Sequence, residues 1–376
     1  MADRIQKIVT KLPGLKSVTD VWKTADRSLG RGDAAFVADL AIALAGAYAS
    51  DAGRIWQYRS VFDYLLRLLA TTPDPGNVAQ ALRLVSSAEA ADRKLDRYTA
   101  SLLASSQPTE ELAAAFTGHA TEELRACLVH ELVLRGVDVT ESPGIAGWAT
   151  SPHWRHHPLG WLPLTLLELE GRPDLPSYSA RGGSHSMPYG PPVNREVPRD
   201  DRAPVPPVEE TTTEAIAKAT GVAVTNWAEE SNGRIEARVF DLAAPLEAES
   251  VPRMLLALGL ECLEGVGTKK AALSVAACSP EHPWRVLFAA ASTGGAYNSG
   301  ARGAYGRLAA WQSVAGLSGT AQGCLVEEVE ASARACAWYA FGADTKWFER
   351  GAWDIGLVAV SPERRRLAML AATDTD

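Results

Sequence analysis

The sequence predicts a helical N-terminal array or bundle, a Pro-rich connector, and a C-terminal α+β domain with a largely antiparallel sheet. Three observations predict it. From about Asp33 to Gly136, apolar residues recur at intervals of three and four almost without a break. Twelve of the 22 prolines crowd between Pro152 and Pro207. From Thr213 onward, short apolar runs of strand character alternate with two helical ones. At 376 residues the chain also exceeds what one hydrophobic core usually serves, and we set the regions at 1–150, 151–212 and 213–376.

The helical region reads as six segments, at 34–50, 55–70, 77–90, 95–106, 109–119 and 121–136, with one or two further helices before Asp33. Breaking and capping signals separate them: "TTPDPGN", "SQPTEE", and Thr121 followed by Glu122 and Glu123. Helices joined by short turns stack as a HEAT- or armadillo-like solenoid or pack as an irregular bundle, and no fixed repeat period chooses between the two.

Proline fixes the backbone and removes a hydrogen-bond donor, which excludes long helices from the connector. Its one apolar piece, "GWLPLTLLELE" at 160–170, is expected to be a helix on the preceding bundle; 177–210 reads as extended, partly polyproline chain. In the last region strands are expected at 221–230, 233–242, 271–279, 284–292, 333–342, 353–361 and 366–374, with helices at 250–265 and 303–317. Short polar connections such as "SPERRR" join the last strands, as in an antiparallel meander. That order points to an α+β sandwich, not a parallel doubly wound sheet.

Composition limits the function classes. The chain is 47% hydrophobic and 22% charged, which is ordinary for a soluble globular protein. Its net charge of -8 divides equally at Thr213, so no basic half is hidden and non-specific nucleic-acid binding is not expected. Arg364, Arg365 and Arg366 form the densest basic cluster and read as a solvated turn. Five cysteines, at 127, 262, 278, 324 and 336, are odd in number, scattered and without a CxxC pair, which suits a reducing compartment better than a disulfide framework or a zinc ribbon. The N-terminus has no continuous apolar core, and no window approaches the roughly eighteen apolar residues of a membrane span. A cytoplasmic protein that does not engage membranes is expected.

The strongest candidate site is "GGAYNSGARGAYGRLAAW", 294–311. Read as a strand-to-helix turn, its glycines could aim backbone amides at an anion beside a helix N-terminus. Gly294, Gly295, Tyr297, Asn298, Arg302 and Arg307 are the candidate ligand-binding residues, with Tyr305 a second flat surface. The phosphate-loop pattern GxxxxGK[ST] is absent, and Gly300, Gly303 and Gly306 are spaced GxxGxxG. Such spacing equally suits a hinge where a helix lies close on a sheet.

Lesser candidates carry bland readings. His153, His156 and His157 have neither HExxH nor a carboxylate at ligand spacing, and no metal is expected. Ser184 and His185 lack GxSxG and read as a turn. Asp344, Glu349, Asp354, Asp374 and Asp376 read as solvated loops and strand ends. Of the tryptophans at 227, 284, 311, 338, 347 and 353, Trp338 reads as core, while Trp347 and Trp353 flank a polar loop.

The glycine-rich stretch and the closing "WDIGLVAVSPERRRLAMLAATDTD" together resemble a family of uncharacterised actinobacterial proteins, chiefly of Streptomyces type, most strongly over the last 90 or so residues. The resemblance implies no activity and carries over no catalytic residue. The expectation is therefore a protein-binding or scaffolding protein without a catalytic motif or cofactor, whose partner is another protein. The alternative is an enzyme or a nucleotide- or anion-responsive module, with a small anionic ligand at 294–307.

Overall fold

In the computed structural model, residues 2–49, 54–87, 93–118, 120–190, 196–198, 202, 204–266, 272–321, 323–348 and 352–375 are described. The chain divides into two compact units, one of residues 1–160 and 175–185, the other of residues 161–174 and 186–376.

The first unit is helical: α1 Ala2–Lys11, α2 Thr19–Leu29, α3 Ala34–Tyr48, α4 Trp56–Thr71, α5 Pro75–Ser87, α6 Arg93–Ser106, the short α7 Thr109–Leu112 and α8 Ala114–Thr117, α9 Glu122–Leu134, α10 Pro143–Ala149 and α11 Pro152–His156. Capping residues explain the limits. The Asp33 side chain accepts from Phe36 N and opens α3, and Thr121 accepts from Leu124 N and opens α9. Past α9, Gly136 at φ 75° takes the left-handed turn that releases the chain. Leu40, Leu44, Leu65, Leu66, Leu69, Val78, Leu84, Leu102, Leu103 and Leu128 are fully buried. Each such side chain contributes about 1.5–3 kcal/mol through the apolar surface it removes from water.

Polar chain ends are met inside this unit. Gln107 Nε2 donates to the carbonyls of Ala70 and Thr72 after α4, and its Oε1 accepts from Asp74 N. A hairpin of β1 (Ser177–Ser179) and β2 (Gly182–Ser184) belongs here too: Arg67 Nε donates to Ala180 O, and Tyr178 shares a hydrogen bond with Ser101.

The second unit has six antiparallel strands in the order β3-β4-β8-β7-β6-β5: β3 Val208–Glu210, β4 Arg234–Leu242, β5 Leu273–Cys278, β6 Ala337–Ala343, β7 Trp353–Val360 and β8 Arg366–Asp374. Alternation assigns Tyr339, Phe341, Val358, Val360, Leu367, Met369 and Ala371 to one face, where they form a cluster with Met254 and Leu255 of α14 (Val251–Ala257). Trp338, Ala340, Leu357, Ala359, Ala368, Leu370 and Ala372 point the other way and are also buried. Burial on both faces is why β7 and β8 read as continuous apolar runs.

The remaining helices are α12 Glu214–Gly221, α13 Thr225–Glu230, α15 Glu281–Thr293, α16 Arg302–Ser318 and α17 Val326–Ala335. Helix α16 packs on α12, α15 and α17 and reaches β7 and β8. Glycine permits the closest crossings: a Cβ on Gly306 would stand 2.6 Å from Ser292 Cβ of α15, and one on Gly316 would stand 2.7 Å from Thr220 Oγ1 of α12.

Two expected strands are helices. Residues 284–292 lie in α15, where Trp284 through Thr293 are buried apart from Arg285, so no polar stripe marks the helical period. Residues 221–230 form a 3-10 turn, Val222–Val224, followed by α13; burial of Val224 and Trp227 outweighs the strand preference of the β-branched residues. The strand expected at 333–342 begins at Ala337, because 333–335 end α17. The apolar piece 160–170 is no helix: it runs from the end of one 3-10 turn, Pro158–Trp161, to another, Glu168–Glu170, and from Trp161 on it belongs to the second unit. Among the described residues no helix is long and apolar enough to cross a membrane.

Candidate functional site

The glycine-rich stretch turns out to join two helices, α15 and α16, so the expected strand-to-helix turn is a helix-to-helix turn. Gly294 N still donates to Ala290 O as α15 ends, and Ala301 N reaches back to Ala291 O, which closes the loop on itself. Gly294 and Gly300 sit at φ 87° and 61°, the left-handed region that glycine enters without penalty. A side chain on either would also strike the backbone: Gly300 N lies 2.6 Å from a Cβ at 294, and Ser292 O lies 2.6 Å from one at 300.

Asn298 organises the loop from within. Its Oδ1 accepts from Gly295 N at 3.3 Å, Gly300 N at 3.2 Å and Asn226 Nδ2 at 3.0 Å, while its Nδ2 donates to Asn226 O at 3.1 Å. One side chain thus ties both limbs of the loop to α13. Ala296 N donates at 2.7 Å to Asp374 Oδ2, and Asp374 Oδ1 accepts from Ser231 Oγ at 2.8 Å and Thr375 N at 3.0 Å. Asp374 is fully buried. The anion that meets the Ala296 amide is therefore the chain's own carboxylate, and the last position of β8 is a packed polar anchor, not the solvated strand end expected of it.

Gly295 fits because it has no side chain, since an added Cβ would overlap Asp374 Oδ2 and stand 3.2 Å from Trp227 Cδ1. Trp227 is fully buried, and the Tyr189 ring packs edge-on against it at 5.6 Å. Burial pushes the Tyr189 phenol above its ordinary range.

The other candidate residues separate. Arg307 turns into the interior with no exposed side-chain surface. Its Nε and Nη2 donate to Glu170 Oε1 and Oε2 at 2.6 and 2.8 Å, Nη1 to Pro163 O at 2.9 Å and Nη2 to Thr165 O at 2.7 Å. Glu170 also accepts from Trp311 Nε1 at 2.7 Å and Leu167 N at 2.8 Å. This network anchors residues 163–170 on α16. Arg302 and Tyr305 are half-buried, and Arg302 opens α16 at φ 68°, unusual for a residue with a Cβ. Tyr297 alone of the six is well exposed, at 61%.

Sequence reasoning missed Glu170, Asn226 and Ser231. The signal for Glu170 was an acid inside an apolar stretch facing no obvious cation, while Arg307 stood between Gly306 and Leu308 on an apolar helix; each charge needs the other. Elsewhere, His157 stacks on Trp154 and its Nε2 lies 3.3 Å from Glu123 Oε2, while His156 is exposed and the His153 side chain lies outside the described residues. Ser184 ends β2, where its hydroxyl meets that of Ser177, and His185 is exposed. Asp354 accepts from Thr373 Oγ1 at 2.7 Å; Glu349 and Asp376 lie outside the described residues. Trp284, Trp311, Trp338 and Trp347 are buried and Trp353 is half-buried. Among the described residues no group of three or more His, Cys, Asp or Glu side chains is placed to hold a metal ion.

The model of a family of unknown function matches residues 19–376, a span that takes in nearly all of both units. The chain belongs to that family, DUF6183. No curated protein and no solved structure matches the chain. In this DUF6183 protein, the match contains the whole 294–301 loop, its Asp374 anchor and the Glu170–Arg307 pair beneath α16.

Proposed function

We propose that the protein recognises another protein through the 294–301 loop, with Tyr297 as its principal contact. The observation that carries this reading is a contrast within the loop: its two limbs are fixed by Asn298 and Asp374, while the ring at its tip is exposed. An aromatic side chain on a preorganised loop loses little conformational entropy on binding and buries a large area, the pattern of interface hot spots. Exposed Met187 lies two residues from Tyr189, which packs on the Trp227 that the loop covers, and adds a second apolar side chain to this part of the chain.

The helical unit suits scaffolding in the same reading, with Trp56 exposed at the start of α4. Its place in this proposal is the cytoplasm, supported by five cysteines that all remain free thiols. The test is photo-crosslinking in the native host with benzoylphenylalanine at position 297. A discrete adduct is expected that excess wild-type protein suppresses and excess Tyr297→Ser protein does not. Crosslinking no stronger than from the exposed control position Leu325 would refute the reading.

A further inference from the structure

The second unit contains an open cleft of about 800 Å³ at the end of the sheet away from the glycine-rich loop. Strand β8 begins at Arg366 and ends at Asp374, and α16 begins beside the loop and ends at Ser318, so cleft and loop mark opposite ends of the same two elements. The cleft lies among the ends of β4 and α16, one side of α17 and the β7–β8 turn. Its volume falls in the range of small-molecule sites.

Its polar lining is of a particular kind. Arg365 and Arg366 both face it, together with the hydroxyl residues Ser318, Ser332 and Ser361. Arg366 Nη1 donates to Leu317 O at 2.9 Å and Nη2 to Gly316 O at 3.1 Å, which holds the guanidinium against the C-terminal turn of α16. Arg365 Nη1 donates to Ala243 O at 2.8 Å. These acceptors are neutral carbonyls, and among the described residues neither guanidinium forms a salt bridge with a carboxylate, in contrast to Arg364, which pairs with Glu247 in the same turn. Two positioned cations outside any salt bridge, of which Arg366 feels the Asp241 carboxylate of the neighbouring strand, stand beside three hydroxyls and form a donor set for an oxyanion.

We propose that this cleft binds a phosphorylated small molecule, whose phosphate is held by Arg365 and Arg366 with the serine hydroxyls as supplementary donors. The cleft also carries two carboxylates, Asp241 and Glu363, which would repel a purely anionic occupant and favour one whose organic part offers hydrogen-bond donors. A sugar or polyol phosphate meets both demands. The site is separate from the protein-recognition loop and does not depend on that reading.

Ribose 5-phosphate is a suitable probe, titrated into the full chain at constant ionic strength and followed by amide chemical shifts. Saturable shifts at Ser318, Ser332 and Ser361 are expected, and ribose alone is expected to give none. Loss of a hydrogen bond to a charged group corresponds to about a tenfold or greater loss of affinity, the effect expected for Arg366→Gln. Because Arg366 also caps α16, Arg365→Gln and Ser332→Ala serve as surface variants, each expected to weaken binding several-fold at unchanged melting temperature. No saturable shift up to about 10 mM, equal shifts with ribose, or binding indifferent to both arginine variants would overturn the proposal.

Discussion

Glu170→Gln is the substitution that most directly probes how the second unit is held together. Both side chains of the Glu170–Arg307 pair are fully buried, and the carboxylate accepts from Arg307, Trp311 and Leu167. An amide in its place removes the negative charge and turns one acceptor into a donor that faces other donors. Arg307 would keep its carbonyl partners but lose its counter-charge, and breaking one side of a buried pair costs about 3–5 kcal/mol. A Coulomb energy of about 4 kcal/mol for unit charges 4 Å apart at an effective dielectric constant of 20 gives the same scale. Against a total stability of about 5–15 kcal/mol, that is a fifth of it or more. The assay is equilibrium urea unfolding at pH 7, read by tryptophan fluorescence and far-UV circular dichroism. The double variant Glu170→Leu/Arg307→Met removes both charges and should be less destabilised than Glu170→Gln alone. A single-variant loss below about 1 kcal/mol, or a double variant no more stable than Glu170→Gln alone, would refute the reasoning.

Asn298→Ala should destabilise by about 1–3 kcal/mol because it leaves the Gly295 and Gly300 amides without their acceptor, and hydrogen exchange at those two amides should accelerate. Gly295→Ala should be among the most disruptive alanine substitutions, since its methyl group would overlap Asp374; Gly46→Ala, in the exposed face of α3 with nothing within 4 Å, should instead stabilise by about 0.5–1 kcal/mol, both measurable by denaturant midpoint. Burial lowers the pKa of His282 from 6.5 to about 4, so the unfolded chain takes up its proton first as pH falls. The stability that neutral His282 preserves is complete above pH 6.5 and is lost down to about pH 4, with about 2 kcal/mol gone between pH 7 and pH 5. His282→Gln should flatten that part of the stability profile, and an unchanged slope would count against the assignment.

Legibility in the sequence followed solvent exposure. In the first unit most helices keep an exposed side and read as apolar stripes, while α9, buried from Ala126 to Leu134, was legible from its limits, Thr121 with Glu122 and Glu123 before it and Gly136 after it. In the second unit the same rule fails where the helix is sunk in the core. Trp284 to Thr293 is buried almost throughout, and a segment with no wet side has no detectable period, so its aromatic and alanine content suggested a strand. Strands β7 and β8 escaped this confusion because the polar turn at 361–365 joins them.

The loop illustrates a second limit, which concerns partners and not periods. Glycine at 294, 295 and 300 correctly marks places where backbone approaches closely, but composition cannot say what approaches. A helix N-terminus with inward amides suits any carboxylate or phosphate, whether from a ligand or from the chain itself. Here Asp374 is 78 residues from Ala296, and no local pattern links them. The pairing exists because β8 lies at the centre of the sheet and ends beneath the loop, a fact of strand order. Arg307 obeys the same logic, since its carboxylate lies 137 residues away in a proline-rich stretch with no helical period. Satisfaction of an amide or a charge is thus settled by topology. A glycine-rich turn reveals a binding site only when the fold leaves its donors unmet; in this loop, the Asn298 and Asp374 side chains meet the amides of Gly295, Ala296 and Gly300, and the large side chain it leaves exposed is the Tyr297 ring.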